Sequence, residues 1–137
     1  MRDLQNGAVM SNGSPIPSNA ELEILHILWK KGPQTVREIY PALKRKREIG
    51  YTTVLKTMQV MAEKGLVTRD ESERSHVYEA AVPEKSIKRR LVSDLLDRVF
   101  EGSAANLVLQ ALSTKRASPE DIRKIRKLLN AQNPEEK

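Results

Sequence analysis

The sequence predicts a mainly α fold with a small β wing: a winged helix-turn-helix followed by a C-terminal helical segment. Three observations carry that expectation. Three helical patterns, each with its own start signal, follow one another from Ser18 to Lys64. The hydrophobic period then changes to the alternation of half-buried strands, twice, around a polar tip. Beyond Pro83, apolar stripes recur at helical spacing as far as Leu129.

Each element has a physical justification. Residues 1–17, rich in Asn, Gly, Ser and Pro and without periodicity, are expected to form a disordered N-terminal arm. Ser18-Asn19-Ala20-Glu21 is a capping box, and Leu22, Leu25 and Trp29 follow as one apolar face, widened by Ile24 and Leu28. Lys30-Lys31-Gly32-Pro33 complements the helix dipole and stops the helix. A second capping box, Thr35-Val36-Arg37-Glu38, opens a helix whose buried face is Val36, Ile39, Tyr40 and Leu43. Gly50 breaks the chain, and Tyr51-Thr52-Thr53 opens a third helix with Val54, Met58 and Met61 buried and Gly65 as its left-handed stop. Leu66–Arg69 and His76–Ala80 alternate as strands around the tip Asp70–Ser75. The domain expected over residues 18–82 is therefore a winged helix, and a flexible tail is expected over 131–137.

Residues 83–130 are expected to form a helical dimerisation domain. Ile87, Leu91, Leu95 and Val99 mark one stripe, with Leu96 and Phe100 beside it. Leu107, Val108 and Leu112 belong to the next helix, and Ile122, Ile125, Leu128 and Leu129 to the last, which starts with Ser118 as cap and Pro119 in its first turn. So short a segment cannot bury these stripes alone, and a second copy related by a twofold axis is the economical cover. The other way to bury them is to fold back on the winged domain.

Composition narrows the partners. Of 137 residues, 31% are charged and the net charge is +6, which favours an anionic partner, nucleic acid ahead of a membrane surface. Aromatics are only 4%, too few for a surface built on base stacking. No cysteine is present, which excludes disulfides, thiolate chemistry and cysteine-ligated zinc. No leader-like apolar run opens the chain and no stretch approaches the roughly 18 apolar residues of a membrane span, so a cytoplasmic protein without membrane insertion is expected. No nucleophile motif or Gly-rich phosphate loop points to an enzyme, and no cofactor is expected. His26 shares a face with Leu22, Leu25 and Trp29 and reads as a packing residue, so no metal site is expected.

In a helix-turn-helix the last helix of the trio enters the major groove of double-stranded DNA. Here its outer face carries Thr52, Lys56, Gln59, Val60 and Glu63, with Thr53 at the edge. The threonines at the helix start suit phosphate or base edges, Lys56 suits guanine O6 and N7, Gln59 suits adenine, and Val60 suits a thymine methyl. The run Lys44-Arg45-Lys46-Arg47 reads either as a phosphate clamp or as a solvated helix end. Arg69, Arg74, Ser75 and His76 read either as backbone contacts of a wing or as ordinary turn residues.

The stretch Tyr51-Thr52-Thr53-Val54…Glu63-Lys64-Gly65-Leu66-Val67 adds a resemblance. With Leu28-Trp29, Val36–Tyr40 and Arg74-Ser75-His76-Val77-Tyr78 in order, the chain from about Ser18 to Leu129 resembles the penicillinase repressor family (BlaI/MecI/CopY). The resemblance implies a homodimeric winged-helix transcriptional repressor on a palindromic DNA operator, paired through its C-terminal helices. In the antibiotic-responsive branch a membrane sensor-protease pathway ends in cleavage of the repressor, and the corresponding region here is Arg98-Val99-Phe100. The cleaved pair in that branch is Asn-Phe, whereas Val99 precedes Phe100 here. The copper-responsive branch senses through C-terminal cysteines, which this chain lacks. Many members carry Arg at the place of Val60 and Thr at that of Lys56, so the operator sequence is this chain's own. A protein-interaction module without specific DNA readout is the rival reading.

Overall fold

A computed structural model describes residues 16–132, so the expected arm over 1–17 lies outside the described residues except for its last two, as does the tail from 133. Three helices come first, α1 (Asn19–Lys31), α2 (Val36–Lys44) and α3 (Tyr51–Lys64). Around them β1 (Gln34–Thr35), β2 (Val67–Asp70) and β3 (Val77–Ala80) form an antiparallel sheet in the order β1-β3-β2. Then follow α4 (Glu84–Arg98), α5 (Ala104–Thr114) and α6 (Pro119–Gln132). The chain divides into two compact units between Asp94 and Leu95, inside α4.

The first unit has a continuous core. Ile24, Leu25 and Leu28 of α1, Val36, Ile39 and Leu43 of α2, and Val54, Met58 and Met61 of α3 meet Leu66, Val67 and Tyr78 of the wing. Both expected capping boxes form: Ser18 Oγ accepts from Glu21 N at 3.2 Å, and Thr35 Oγ1 accepts from Glu38 N at 3.2 Å, each carboxylate accepting the cap N–H in return. Gly65 closes α3 at φ 85°, a left-handed value that a side chain resists, while Leu66 N donates to the Met61 carbonyl at 2.9 Å. The Trp29 indole donates to the Val82 carbonyl at 2.8 Å and fastens the chain beyond the wing to α1.

Several expectations shift. The buried arc of α1 is Glu21, Ile24, Leu25 and Leu28; Leu22 and Trp29 are half-buried and His26 is exposed, its ring edge-on to Trp29. The arc turns because α1 is covered by α2, α3 and β3 together. Pro17 is buried, so packing starts just ahead of Ser18. Sequence periodicity missed β1, since two residues show no alternation. Thr35 supplies the reason it exists: an N-cap residue is extended, here φ −88° and ψ 167°, and an extended backbone can pair with β3. In the last helix, α6 continues through Gln132 into the expected tail, and α4 stops at Arg98, so the stripe residues Val99 and Phe100 lie beyond it. Glu101 at φ 50° and Gly102 at φ 82° turn the chain there, with Gly102 N donating to the Leu96 carbonyl at 2.8 Å.

A buried ion pair fixes the third helix. Lys64 Nζ lies 2.9 Å from Glu21 Oε2 and 3.1 Å from Oε1, which also accepts the Ser18 N–H. Glu21 is 4% exposed and therefore depends on these donors. Lys64→Met leaves that carboxylate without its cation. The variant is expected to lose about 1–3 kcal/mol of unfolding free energy, read as a lowered urea midpoint with an unchanged m-value.

In the second unit neither α5 nor α6 has a single buried residue. Ser103 Oγ caps α5 by accepting from Asn106 N at 3.1 Å, and Ser118 Oγ caps α6 by accepting from Asp121 N at 3.0 Å. The helices are thus locally well specified yet leave Val108, Leu109, Leu112, Leu128 and Leu129 exposed.

Candidate nucleic-acid interface

The third-helix surface is built as the spacing predicts. Because Val54, Met58 and Met61 are fully buried, the opposite side of α3 turns outward. Thr52, Thr53, Lys56, Gln59 and Glu63 are exposed and Val60 is half-buried. Lys56 has no ion pair among the described residues, so its ammonium is free for a ligand.

A groove of about 250 Å³ runs between this helix, the start of α2 and the wing. Gln59, Tyr51 and Leu55 line it from α3, Thr35 to Arg37 from the start of α2, and Arg74, Ser75, His76 and Tyr78 from the wing. The structure therefore brings together Gln59, Arg74, Ser75 and His76, which the sequence had placed on separate elements. Arg37 and Arg74 are both exposed and neither forms an ion pair among the described residues. No carboxylate lines the groove, and the amino-terminal end of α2 adds its positive dipole end.

Two contributors were missed from sequence. Arg37 and Tyr51 were read only as parts of a helix start. The signal was available for Arg37: a cation in the first turn opposes the helix dipole, and that position favours it only where an anion arrives. Tyr51 is 42% exposed and meets Tyr40 edge-on at 5.5 Å, while Lys44 Nζ lies 5.5 Å from the Tyr40 ring centroid. This stack ties the basic turn to the start of α3.

The basic run splits into two roles. Lys44, Arg45 and Lys46 are exposed around a shallow concavity with Tyr40 and Gly50. Arg47 instead donates to Glu23 Oε1 at 2.8 Å, holding the turn against α1. Arg69 is likewise committed within the wing: its Nη2 is 2.6 Å from Glu71 Oε2, and the Tyr78 hydroxyl and Glu71 carboxylate raise its already high pKa. At the tip, the Ser72 backbone N–H donates to Asp70 Oδ1 at 3.0 Å and holds that carboxyl below its usual range. That turn is fully held at pH above the ordinary carboxylate range and loosens as pH falls through the lowered value.

The two histidines stand apart in role, His26 on Trp29 and His76 in the groove. Among the described residues no group of three or more His, Cys, Asp or Glu could hold a metal ion, and no helix is long and apolar enough to cross a membrane.

The stripe residues of the C-terminal segment sort by exposure. Leu95, Val99, Val108, Leu112, Leu128 and Leu129 are exposed, while Leu91, Leu96, Phe100, Leu107, Ile122 and Ile125 are half-buried. Ile87, expected with them, is 1% exposed in the single chain. Leu95, Val99, Phe100, Leu107 and Ala111 line an open apolar groove within the second unit.

Residues 17–131 match the family model described as penicillinase repressor. The chain is 24% identical over 121 residues to a penicillinase repressor of Staphylococcus aureus, covering 88% of this chain and 96% of that protein. It is 30% identical over 90 residues to a transcriptional regulator BlaI of Mycobacterium tuberculosis, covering 65% of each. Among solved structures it is similar to the DNA binding domain of the repressor BlaI, at 25% identity and a TM-score of 0.46 over 52% of this chain and 89% of that one.

Proposed function

This chain belongs to the penicillinase repressor family, and from that premise we propose that it is a homodimeric transcriptional repressor that reads a palindromic DNA operator with α3. The family is one of repressors, not enzymes. The observation that carries the reading is the outward face of α3: Thr52, Thr53, Lys56 and Gln59 exposed above a fully buried Val54, Met58 and Met61. A helix so anchored can enter a major groove without disturbing its core. Arg37, Arg74 and the Lys44–Lys46 turn flank it as phosphate contacts, which set register rather than sequence.

Two copies joined through the second unit would present two such helices to major grooves roughly 34–36 Å apart or a multiple of that. The absence of any buried residue in α5 and α6 supports this pairing. Bound at a promoter in the cytoplasm, the dimer represses by occlusion. The turn after α4 is the region where a signal-driven protease from a membrane sensor pathway would act: Val99 already lies outside the helix, and a cut there would detach α5 and α6 from the DNA-reading part.

The test is selection of bound duplexes from a random library by the purified full chain. An enriched palindrome with helical-turn spacing is expected. A flat profile across sequences would instead favour the protein-interaction module. On the selected operator, Lys56→Ala is expected to lose about 1–2 kcal/mol, roughly tenfold in affinity, and to relax preference at the base pairs it reads, with dimer mass unchanged. Equal loss on every sequence would assign Lys56 to phosphate instead.

A further inference from the structure

We propose that the cationic face of α6 is a second DNA-contacting surface that lies on the phosphate backbone of duplex DNA and reads no bases. The inference rests on the DNA-binding reading of the first unit. At about 100° per residue, Arg126, Arg123, Lys127 and Lys124 succeed one another around one side of α6. Ile122, Ile125, Leu128 and Leu129 fill the other side. All four cations are exposed, and none forms an ion pair among the described residues. The helix's acids are both in its first turn: Asp121 is occupied with the Ser118 cap, while Glu120 lies at the start of the cationic side, three and four positions ahead of Arg123 and Lys124.

This arrangement is electrostatically costly for an isolated helix. Pairs three and four apart, such as Arg123 with Arg126 and with Lys127, repel one another by about 0.2–0.5 kcal/mol each. Solubility is served as well by interspersed charges of both signs. An arc of four cations and one acid is relieved by a partner of dense opposite charge, and a duplex carries one negative charge per roughly 1.7 Å of its axis. The chemistry also chooses among anionic partners. Helix α6 has no aromatic side chain, so it offers neither a stacking platform for unpaired bases nor the aromatic anchor of a membrane-surface helix. Its apolar side is the one the dimer reading assigns to a second copy.

The experiment compares the wild-type full chain with Arg123→Gln/Lys124→Gln/Arg126→Gln/Lys127→Gln on a long mixed-sequence duplex as salt is varied from about 50 to 200 mM. Light scattering reports the mass of each. The expected result is an unchanged mass, a log K against log salt slope shallower by about 3.6 per protomer, and at least tenfold weaker binding at physiological salt. Arg123→Lys/Arg126→Lys is expected to keep the wild-type slope, because charge and not geometry is at stake. If the fourfold variant changes mass, Arg123→Gln/Arg126→Gln is read in the same way, with half the slope change. A fourfold variant with the wild-type slope, alongside an Arg37→Gln/Arg74→Gln variant that loses slope, overturns the α6 proposal and leaves the DNA-binding reading standing. Tighter binding of the wild type to phosphatidylserine vesicles than to the duplex, lost in the fourfold variant, overturns it in favour of a membrane. A wild type without salt-dependent duplex binding sinks both readings.

Discussion

Leu95→Asp is expected to convert the protein from dimer to monomer at micromolar concentration and to weaken operator binding by about 10²–10⁴-fold. Leu95 is 40% exposed in the single chain, so an aspartate there stays hydrated in the monomer. Buried against a second copy, the same carboxylate would lose its water without gaining a partner. The first unit keeps its own core, which does not include Leu95, so its thermal midpoint should not move. The size of the DNA effect comes from losing the second half-site, with no DNA contact altered. Leu95→Met, which conserves volume and apolar character, should behave as wild type. The neighbouring α5 makes the same demand for cover: Leu109 is 64% exposed, Val108 44% and Leu112 39%, and a helix apolar on nearly all sides is stable only when enclosed. Sedimentation and operator titration of Leu95→Asp decide the matter. Mass and affinity both unchanged would remove the dimer from the proposed function.

The first unit was legible in the sequence because its signals are local. Ser18 with Glu21 and Thr35 with Glu38 announced two helix starts, and Gly65 announced a stop, each through chemistry confined to a few residues. The buried face of α3 followed from spacing alone. What escaped depends on elements meeting across the fold. The strand β1 exists only because β3 lies beside Thr35, and the arc of α1 turned because three elements cover it. Glu21 was visible as a cap but not as the partner of Lys64, 43 positions away. The site shows the same divide: the exposed side chains of α3 could be read from its period, whereas the groove joining Arg37, Tyr51 and the wing could not. The basic run looked uniform in sequence, yet Arg47 differs from its neighbours because Glu23 stands within 2.8 Å.

Arg37 and Arg74 give the second large effect. They stand on different walls of one groove, from the start of α2 and from the wing, and neither has a carboxylate partner among the described residues. Their contrast with Arg47 and Arg69 is informative: the chain neutralises those two internally and leaves these two open. A duplex backbone in the groove would meet both at once, each able to make the two-pronged contact that a guanidinium offers a phosphate. Arg37→Gln/Arg74→Gln is therefore expected to weaken operator binding by about a hundredfold per half-site, at about 1.5 kcal/mol per charged hydrogen-bonded contact. The salt slope should fall by about 2 per protomer, because two phosphate neutralisations are lost. Both side chains are exposed and outside the core, so the thermal midpoint should stay at the wild-type value. Base preference should survive, since phosphate contacts carry none of it. Changed preference with an unchanged slope would mean that these arginines read bases and that the groove is not where the backbone runs.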